Sequence, residues 1–422
     1  MTDLASVDFF SDPAIAQNPY EYLEFLRGQN PVYREPNHGS VLVTGYQEAI
    51  EVFRDPGTYS SCVAIGGPFP PLPFEPEGDD ISDQIEAHRH LFPISEHVVT
   101  MDPPQHTRTR GMLSRILTPK RLKENEDFLW VLADNQFDEF LAEGRCEFMG
   151  DYAKPFAALA IADLLGVPDE DRAEFRARLA GKGNRVGALD HAPVGVNPLR
   201  WLDETFGAYV TERREAPRDD ILGILAATTH ADGSIPELIE VVRPATLLFA
   251  AGQETVTKML GALVRVLAER PELRKTLRED RGRIAPFMEE ALRIECPTKV
   301  DFRLTKKRTT LGGVEIAPGT LITLSLDAAN RDPRKFDNPH EFDIDRVNAR
   351  EHLSFGRGIH TCVGAGLARA EGLITINRLL DRVRDLAIDE NAHGPAEDRN
   401  FQYEPTYLLR GLQRLEITFE PA

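Results

Sequence analysis

One cysteine of the chain, Cys362, lies between glycines in the stretch 355–364, which reads FGRGIHTCVG. Glycine has no Cβ, so Gly356 and Gly364 let the backbone press against a flat ligand. A strongly helical pattern follows, and the peptide N–H groups at the start of such a helix favour a thiolate over a thiol. A thiolate held in this way is a good axial ligand for haem iron. The alternative is a buried structural cysteine in a glycine-rich turn, while Thr361 at the third glycine position excludes a dinucleotide-binding fingerprint.

Charge and composition exclude several classes of protein. The 422 residues include 49 Lys and Arg against 68 Asp and Glu, a formal net charge of -19, which disfavours binding to nucleic acids or anionic lipids. No stretch approaches the roughly 20 apolar residues of a membrane span, and the first residues lack the features of a signal peptide. The four cysteines form no CxxC pair, so neither a zinc ribbon nor a disulfide framework is expected. We therefore expect a cytoplasmic protein with no nucleic-acid partner and no membrane span.

The hydrophobic pattern predicts a mostly α protein with a minor β portion, built as one domain over residues 1–422. Helical periodicity dominates from 107 to 291, and its longest run spans 236–267. Short strand patterns occur at 32–34, 41–44, 302–305, 314–326 and 414–419. Between 62 and 104, glycines and prolines interrupt every pattern. The apolar residues kept in that stretch favour an irregular functional lid over a disordered piece.

Two further motifs lie on predicted helices. Glu290 and Arg293 are three residues apart and share a helix face, where they can form an ion pair; most such pairs are solvated surface bridges. Gly252 lies in the middle of the longest helix, where glycine costs about 1 kcal/mol relative to alanine. Thr255, one turn later, can bond its hydroxyl to a carbonyl of the preceding turn. The alternative for this second motif is a helix that packs through small residues.

Taken together, these motifs closely resemble those of the cytochrome P450 family. The FGxGxHxCxG signature is matched at every fixed position, and the companion motifs follow in the family's order over essentially the whole chain. The resemblance implies the triangular, mostly helical P450 fold with a long central helix over the haem. It implies haem b as the cofactor, with Cys362 as the axial ligand of its iron. The other residues implied around the haem are Phe355, Gly356, His360, Gly364, Ala251 and Gly252.

The resemblance also assigns roles to charged residues. Glu290 and Arg293 would lock a meander behind the haem together with Arg346, which is a structural role. Four basic side chains would bind the two haem propionates, and the alternative for each is a solvated surface group. They are His106, Arg110, Arg303 and His360. His106 and Arg110 are four residues apart and share a helix face.

The activity implied by the resemblance is insertion of one oxygen atom from O2 into a C–H bond of a hydrophobic molecule. Glu254 would relay protons from water, and Thr255 would position the water or hydroperoxide that receives them. No fused reductase is expected, so electrons would come from ferredoxin and ferredoxin reductase, and from NAD(P)H through them. Two alternatives stay open: a peroxide-driven haem-thiolate enzyme, which an intact Glu254–Thr255 pair disfavours, and a haem-binding or sensor protein without catalysis.

A cluster of basic residues either steers an acidic ferredoxin to the cysteine side or is an ordinary charged helix face. It consists of Arg108, Arg110, Arg115, Lys120, Arg121 and Lys123, with Arg357 beside the cysteine. The charge of these side chains contrasts with the negative net charge of the chain.

The candidate substrate-binding residues are mostly apolar, which suits a hydrophobic molecule. They are Val98, Val99, Leu247, Ala250, Lys299, Val300, Tyr407 and Leu408. Fatty acids, terpenoids, steroids and aromatic compounds all remain possible substrates. We expect Lys299 to point outward to solvent; if it points inward, it can bind a substrate carboxylate.

Overall fold

The computed structural model describes residues 4–175, 187–191, 197–230 and 232–422. The expectation of a mostly helical protein with a minor β portion is confirmed. The α-helices are α1 Pro13–Gln17, α2 Tyr20–Gln29, α3 Tyr46–Arg54, α4 Ser82–His88, α5 Gln105–Ile116, α6 Pro119–Asp138, α7 Lys154–Leu165, α8 Arg200–Glu215, α9 Ile221–Ala226, α10 Leu238–Glu269, α11 Pro271–Glu279, α12 Ile284–Ile294, α13 Leu326–Ala329, α14 Ala365–Arg382 and α15 Glu390–His393. The strands are β1 Val32–Arg34, β2 Val41–Val43, β3 Tyr59–Ser60, β4 Arg145–Glu147, β5 Val300–Thr305, β6 Thr309–Leu311, β7 Val314–Ile316, β8 Leu321–Ser325, β9 Val383–Ile388 and β10 Glu416–Pro421.

Five of the strands form a mixed sheet in the order β1-β2-β8-β5-β3. Strand β2 runs antiparallel to β1 and parallel to β8, with Val41 opposite Ile322. All three residues of β2 are buried, which is typical of a strand covered on both faces. A second sheet has the order β4-β10-β9, and β6 pairs with β7 in a hairpin.

Helix α10 is the central element of the helical part. It begins with a capping box, in which Glu237 and Glu240 each accept a backbone hydrogen bond from the other residue. It ends at Glu269 and is capped by Arg270, because Pro271 cannot continue the hydrogen-bond ladder. The helix packs against α7, α8 and α14, and most of its side chains are buried. Ala251, in its middle, is exposed.

The stretch 62–104 is less irregular than the sequence indicates. Helix α4 interrupts it, and short 3-10 turns follow at Arg89–Leu91 and Val98–Thr100. The helix forms because Ile81 and Ile85 are four residues apart and both are buried, and because no proline or glycine lies between residues 79 and 92. The prediction of unbroken irregular structure is therefore wrong after residue 80.

Four strands were missed by the sequence analysis, namely β3, β4, β6 and β9. Strands β3, β4 and β6 have only two or three residues, fewer than the roughly four over which alternation is read. Strand β9 follows α14 with no residue between them, so its start was predicted as the end of the helix. Within the described ranges, none of the helices combines the length and the apolar character needed to cross a bilayer.

Candidate active site

The loop that carries Cys362 is closed by its own backbone and by the end of α3. The Cys362 N–H donates to the carbonyl of Phe355 at 2.8 Å. Gly358 has a φ of +71°, and a Cβ at this position would lie 2.0 Å from the carbonyl oxygen of Phe53. Glycine is therefore required here both by conformation and by contact. The loop is fixed against α3 and holds Cys362 three residues before α14 begins.

Cys362 differs from the other three cysteines of the chain, because its side chain is exposed and theirs are buried. A Cβ at Gly356 or at Gly364 would find no atom nearer than 3.9 Å, so protein atoms leave both faces of the loop uncovered near the sulfur. Although solvent reaches the Cys362 side chain, many protein atoms surround the sulfur, and the resulting desolvation raises the pKa of the thiol. The backbone amides of Gly364 and Ala365 and the Arg110 guanidinium act in the opposite direction, towards the thiolate.

The residues proposed to bind propionates lie near one another. The rings of His106 and His360 are 4.3 Å apart, and the buried Nε2 atoms of both have no hydrogen-bond partner. Arg110 donates to the carbonyl of Thr361. Burial, followed by the charges of Arg303, His106 and Arg110, lowers the pKa of His360 to about 2. An anionic group beside His360 would offset these unfavourable terms and favour the protonated imidazole, whose Nε2–H can donate a hydrogen bond.

This group of side chains suits an anionic ligand. Two buried imidazole nitrogens without partners are costly in a folded protein, and a carboxylate beside them would favour the protonated rings and accept a hydrogen bond from each. Haem would bring two carboxylates to these side chains, and the Cys362 sulfur, which lies between uncovered glycines, would supply a thiolate to its iron. The donor set of this structure therefore fits haem.

Arg303 has partners that the sequence analysis did not foresee. Its Nη1 donates to Asp301 Oδ1 at 2.7 Å and to the Phe302 carbonyl at 2.6 Å. The guanidinium also lies 5.4 Å above the ring of Phe53. Residues two apart on a strand share a face, so the spacing of Asp301 and Arg303 was a signal for this pair. The carboxylate fixes the guanidinium beside His360.

In the middle of α10, the Thr255 hydroxyl donates to the Ala251 carbonyl at 2.8 Å, which is the bond expected from the sequence. The alanine is exposed and the threonine is half-buried. A Cβ at Gly252 would meet only the side chain of Ile161, at 3.8 Å. This segment of α10 therefore presents small side chains and one hydroxyl to its surroundings.

Glu254 is held in an ion pair that the sequence analysis missed. Lys258 Nζ lies 3.0 Å from Glu254 Oε1 and 2.7 Å from Glu404 Oε2, and the lysine side chain is only 2% exposed. The four-residue spacing of Glu254 and Lys258 places them on one helix face and was the available signal. No sequence signal indicated the contact with Glu404, which lies 146 positions beyond Lys258.

Glu290, Arg293 and Arg346 meet in the interior. Arg293 Nη2 lies 2.7 Å from Glu290 Oε1, and Arg346 Nε lies 3.0 Å from the same oxygen. Arg293 also donates to the carbonyls of Asn330 and Pro339. The group thus joins α12 to the meander that leads to the cysteine loop.

A second carboxylate of α12, Glu289, had no role in the sequence analysis. It accepts hydrogen bonds from His352 at 3.2 Å and from Arg369 at 2.6 Å. Although burial opposes ionisation, these two partners lower the pKa of Glu289 to about 2. Arg369 lies 4.5 Å above the ring of Phe355. Glu289 therefore connects α12, α14 and the start of the cysteine loop.

The candidate substrate residues belong to two apolar clusters and are not brought into one group. The cluster around α10 contains Val98, Leu247 and Ala250. The cluster between the N-terminal segment and β5 contains Val300, Tyr407 and Leu408. Val99 is half-buried, and the Tyr407 hydroxyl donates to the Gly66 carbonyl at 3.2 Å.

The expectation that Lys299 points to solvent is wrong. The residue is 3% exposed, and its Nζ donates to the carbonyl of Ala16 in α1 at 3.3 Å. Burial and the charge of Arg410 lower its pKa to about 7, while Asp327 and Glu404 oppose this. Its partners lie far away in the sequence, so the local pattern could not reveal its burial.

Three of the seven residues of the basic cluster are paired with acidic side chains. Lys120 lies 3.6 Å from Glu124, and Arg121 lies 3.3 Å from Asp219. Lys123 bonds to Glu126 at 2.5 Å. The face is therefore one of mixed charge.

Comparison with known proteins gives a consistent family. The cytochrome P450 family model matches residues 202–399. Cytochrome P450 144 of Mycobacterium tuberculosis is 30% identical over 430 residues, which cover 100% of this chain and 93% of that protein. The vitamin D(3) 25-hydroxylase of Pseudonocardia autotrophica is 32% identical, over 96% of this chain and 94% of that protein.

Solved structures extend the likeness to the fold. The substrate-free form of Mycobacterium marinum cytochrome P450 CYP150A6 is 56% identical and covers 100% of both chains, with a TM-score of 0.93. Its match includes the cysteine loop and the long central helix described above. The chain belongs to the cytochrome P450 family and is a monooxygenase, an oxidoreductase.

Proposed function

We propose that this P450 inserts one oxygen atom from O2 into a C–H bond of a neutral, hydrophobic small molecule, with electrons supplied by a ferredoxin. The observation that carries the proposal is the exposed Cys362 in a rigid loop, beside two buried imidazole nitrogens that lack partners. Haem, when bound there, activates O2 with two electrons that originate from NAD(P)H.

The residues that hold the cofactor act through charge and hydrogen bonds. Cys362 supplies the thiolate, and the amides of Gly364 and Ala365 stabilise its negative charge. The buried imidazoles of His106 and His360, protonated beside the propionates, would donate to them through Nε2, and the positive charge of Arg110 and Arg303 would offset the remaining negative charge.

Two residues of α10, Thr255 and Glu254, supply the protons. Reduction of O2 needs protons as well as electrons. Thr255 is anchored by its bond to the Ala251 carbonyl, so the hydroxyl oxygen accepts a hydrogen bond from a water beside it and fixes that water's place. Glu254, the preceding residue, exchanges protons with water through its partly exposed carboxylate.

The proposed substrate class follows from the position of Lys299. The sequence analysis considered this lysine as a possible partner for a substrate carboxylate. Its ammonium instead donates a hydrogen bond to the carbonyl of Ala16. The residues Val98, Leu247 and Ala250 near α10 are apolar. A vitamin D(3) hydroxylase is among the relatives. We therefore favour a steroid or terpenoid over a fatty acid, although a biotin-biosynthesis P450 of Bacillus subtilis is also a relative.

The proposed electron donor is a ferredoxin with its NAD(P)H-dependent reductase. The mixed-charge face with Arg108 and Arg115 would take part in its docking. The intact Glu254–Thr255 pair supports this donor over hydrogen peroxide, because peroxide brings its own protons. A haem-binding sensor without catalysis would not require a Glu254–Thr255 pair, so the pair also favours an enzyme over a sensor.

A single set of measurements tests the proposal. Purified holoenzyme is titrated with vitamin D3 and with palmitate while the haem spin state is followed, and turnover is then driven by ferredoxin, reductase and NADPH or by hydrogen peroxide alone. We expect a spin-state shift and NADPH-driven hydroxylation with vitamin D3. A shift with palmitate only would contradict the substrate class, and product with peroxide only would contradict the electron donor. Electron uptake without any product would favour the sensor alternative.

A further inference from the structure

An ion triplet of one lysine and two glutamates lies on the side of α10 next to the hairpin at residues 403–412. The Lys258 ammonium is 3.0 Å from Glu254 and 2.7 Å from Glu404. The lysine is 2% exposed, whereas the two glutamate side chains are 19% and 32% exposed. A buried cation thus connects the carboxylate next to Thr255 with one at the surface.

The hairpin is shaped to admit this lysine. A Cβ at Gly411 would lie 2.3 Å from Lys258 Cγ, so any larger residue would displace the lysine stem. The hairpin backbone is closed by the Glu404 N–H, which donates to the Gly411 carbonyl at 3.0 Å. Glu404 is therefore fixed opposite the glycine that makes room for its partner.

The other charged side chains that line the cavity near Lys258 contact one another. The small cavity beside the lysine is also lined by Arg265, Glu295, Tyr403 and Arg410. Arg265 lies 2.7 Å from Glu295, and Arg410 lies 3.7 Å from it. The Arg410 guanidinium stacks 3.6 Å above the ring of Tyr403. Lys258 is not part of these contacts and bonds to Glu254 and Glu404.

We propose that Lys258 is a positioning residue for the proton relay, and that Glu404 controls how tightly Lys258 holds Glu254. The inference rests on the proposed function of Glu254. One ammonium shared by two carboxylates holds each of them less firmly than it would hold one alone. Sharing lets Glu254 turn between the lysine and the water beside Thr255, and the lysine returns it to the same place after each turnover.

Two isosteric variants separate these effects. In Glu404→Gln, Lys258 keeps a hydrogen-bond acceptor but loses one of its two carboxylates, so it holds Glu254 more firmly. Proton delivery then slows, and the solvent isotope effect on NADPH-driven hydroxylation increases. In Lys258→Met, which keeps the stem against Gly411, Glu254 loses its ion pair with the ammonium and shifts, so less product and more hydrogen peroxide form per NADPH. We expect each change to be about fivefold with KM unchanged, a fraction of what general acid–base catalysis contributes. Lys258→Arg should restore most of the coupling.

The double variant tests whether Glu404 acts through Lys258. In the Lys258→Met background, Glu404→Gln should have no further effect, because residues that act through one partner are not additive. Independent, additive effects would contradict the proposal, and so would unchanged coupling and isotope effect in both single variants. Vitamin D3 is the probe, and Glu204→Gln on the exposed face of α8 is the control.

Crystal structures of the two single variants provide a readout without turnover. The Glu254 carboxylate should keep its place in Glu404→Gln and leave it in Lys258→Met. A carboxylate that stays in place without Lys258 would contradict the positioning role. If the wild type forms no product from NADPH, the proposed function fails, and the crystal structures still decide the role of Lys258.

Discussion

Arg293 and Glu290 form an ion pair that is completely enclosed. The Nη2 and Nε atoms of Arg293 lie 2.7 Å and 2.8 Å from the two carboxylate oxygens of Glu290, and neither side chain has any exposed area. Arg346 approaches the same carboxylate from the meander at 3.0 Å. One buried negative charge therefore balances two cations from different parts of the chain.

Removal of that charge should destabilise the fold severely. Glu290→Gln keeps the shape of the side chain but leaves two guanidinium groups without a counterion, so we expect a loss of about 3 to 5 kcal/mol in the free energy of unfolding. Urea denaturation of the holoenzyme measures it. The control is Glu204→Gln, which breaks an exposed pair with Arg200 and should cost less than about 1 kcal/mol. Equal losses in both variants would show that the enclosed pair is not structural.

Loss of the Thr255 hydroxyl should separate electron consumption from product formation. In Thr255→Ala no group fixes the water next to Glu254, so we expect about a tenfold or larger fall in product per NADPH and a matching rise in hydrogen peroxide. Thr255→Ser should keep most of the coupling. Thr211→Ala is the matched control, since Thr211 makes the same bond to a carbonyl one turn back in α8. Coupling that stays at the wild-type value in Thr255→Ala would remove the residue from the relay.

The pH dependence of stability should report on Glu289. Its pKa is lowered from 4.5 to about 2 by His352 and Arg369, so its ionised form stabilises the fold fully above pH 4.5. This contribution, about 3 kcal/mol, should be lost as the pH falls from 4.5 through 2. We expect the difference in unfolding free energy between wild type and Glu289→Gln to be constant at pH 5–6 and to shrink by pH 3. The lowered pKa of His352 also makes the fold less stable as the pH falls, because the unfolded chain binds a proton on this histidine before the folded protein does. A difference that does not change with pH would contradict the assignment.

The sequence predicted the elements whose signals are local. The longest helix was expected at 236–267 and is found at Leu238–Glu269, because its apolar periodicity and the proline after it are properties of one segment. The bond from Thr255 to Ala251 was expected for the same reason. The cysteine loop was recognisable because its glycines, such as Gly358, are required by geometry.

The features that the sequence analysis did not predict depend on contacts between segments that are distant in the sequence. Lys299 was expected at the surface, and its burial comes from α1, almost 300 residues earlier. Lys258 is neutralised in part by Glu404, which only the closing hairpin brings near it. Glu289 is adjacent to the motif residue Glu290 but points to His352 and Arg369 instead. No spacing rule reveals partners of this kind before the fold is known.

The central claim is that Cys362 is the thiolate ligand of haem iron, and the Soret band of the ferrous carbonyl complex tests it most directly. The wild type should bind haem and show the band typical of thiolate ligation. Cys362→Ala should lose this band, whereas Cys146→Ala, which changes a buried cysteine in β4, should keep it. A thiolate-type band in Cys362→Ala, or a wild-type protein that stays colourless when supplied with hemin, would contradict the account.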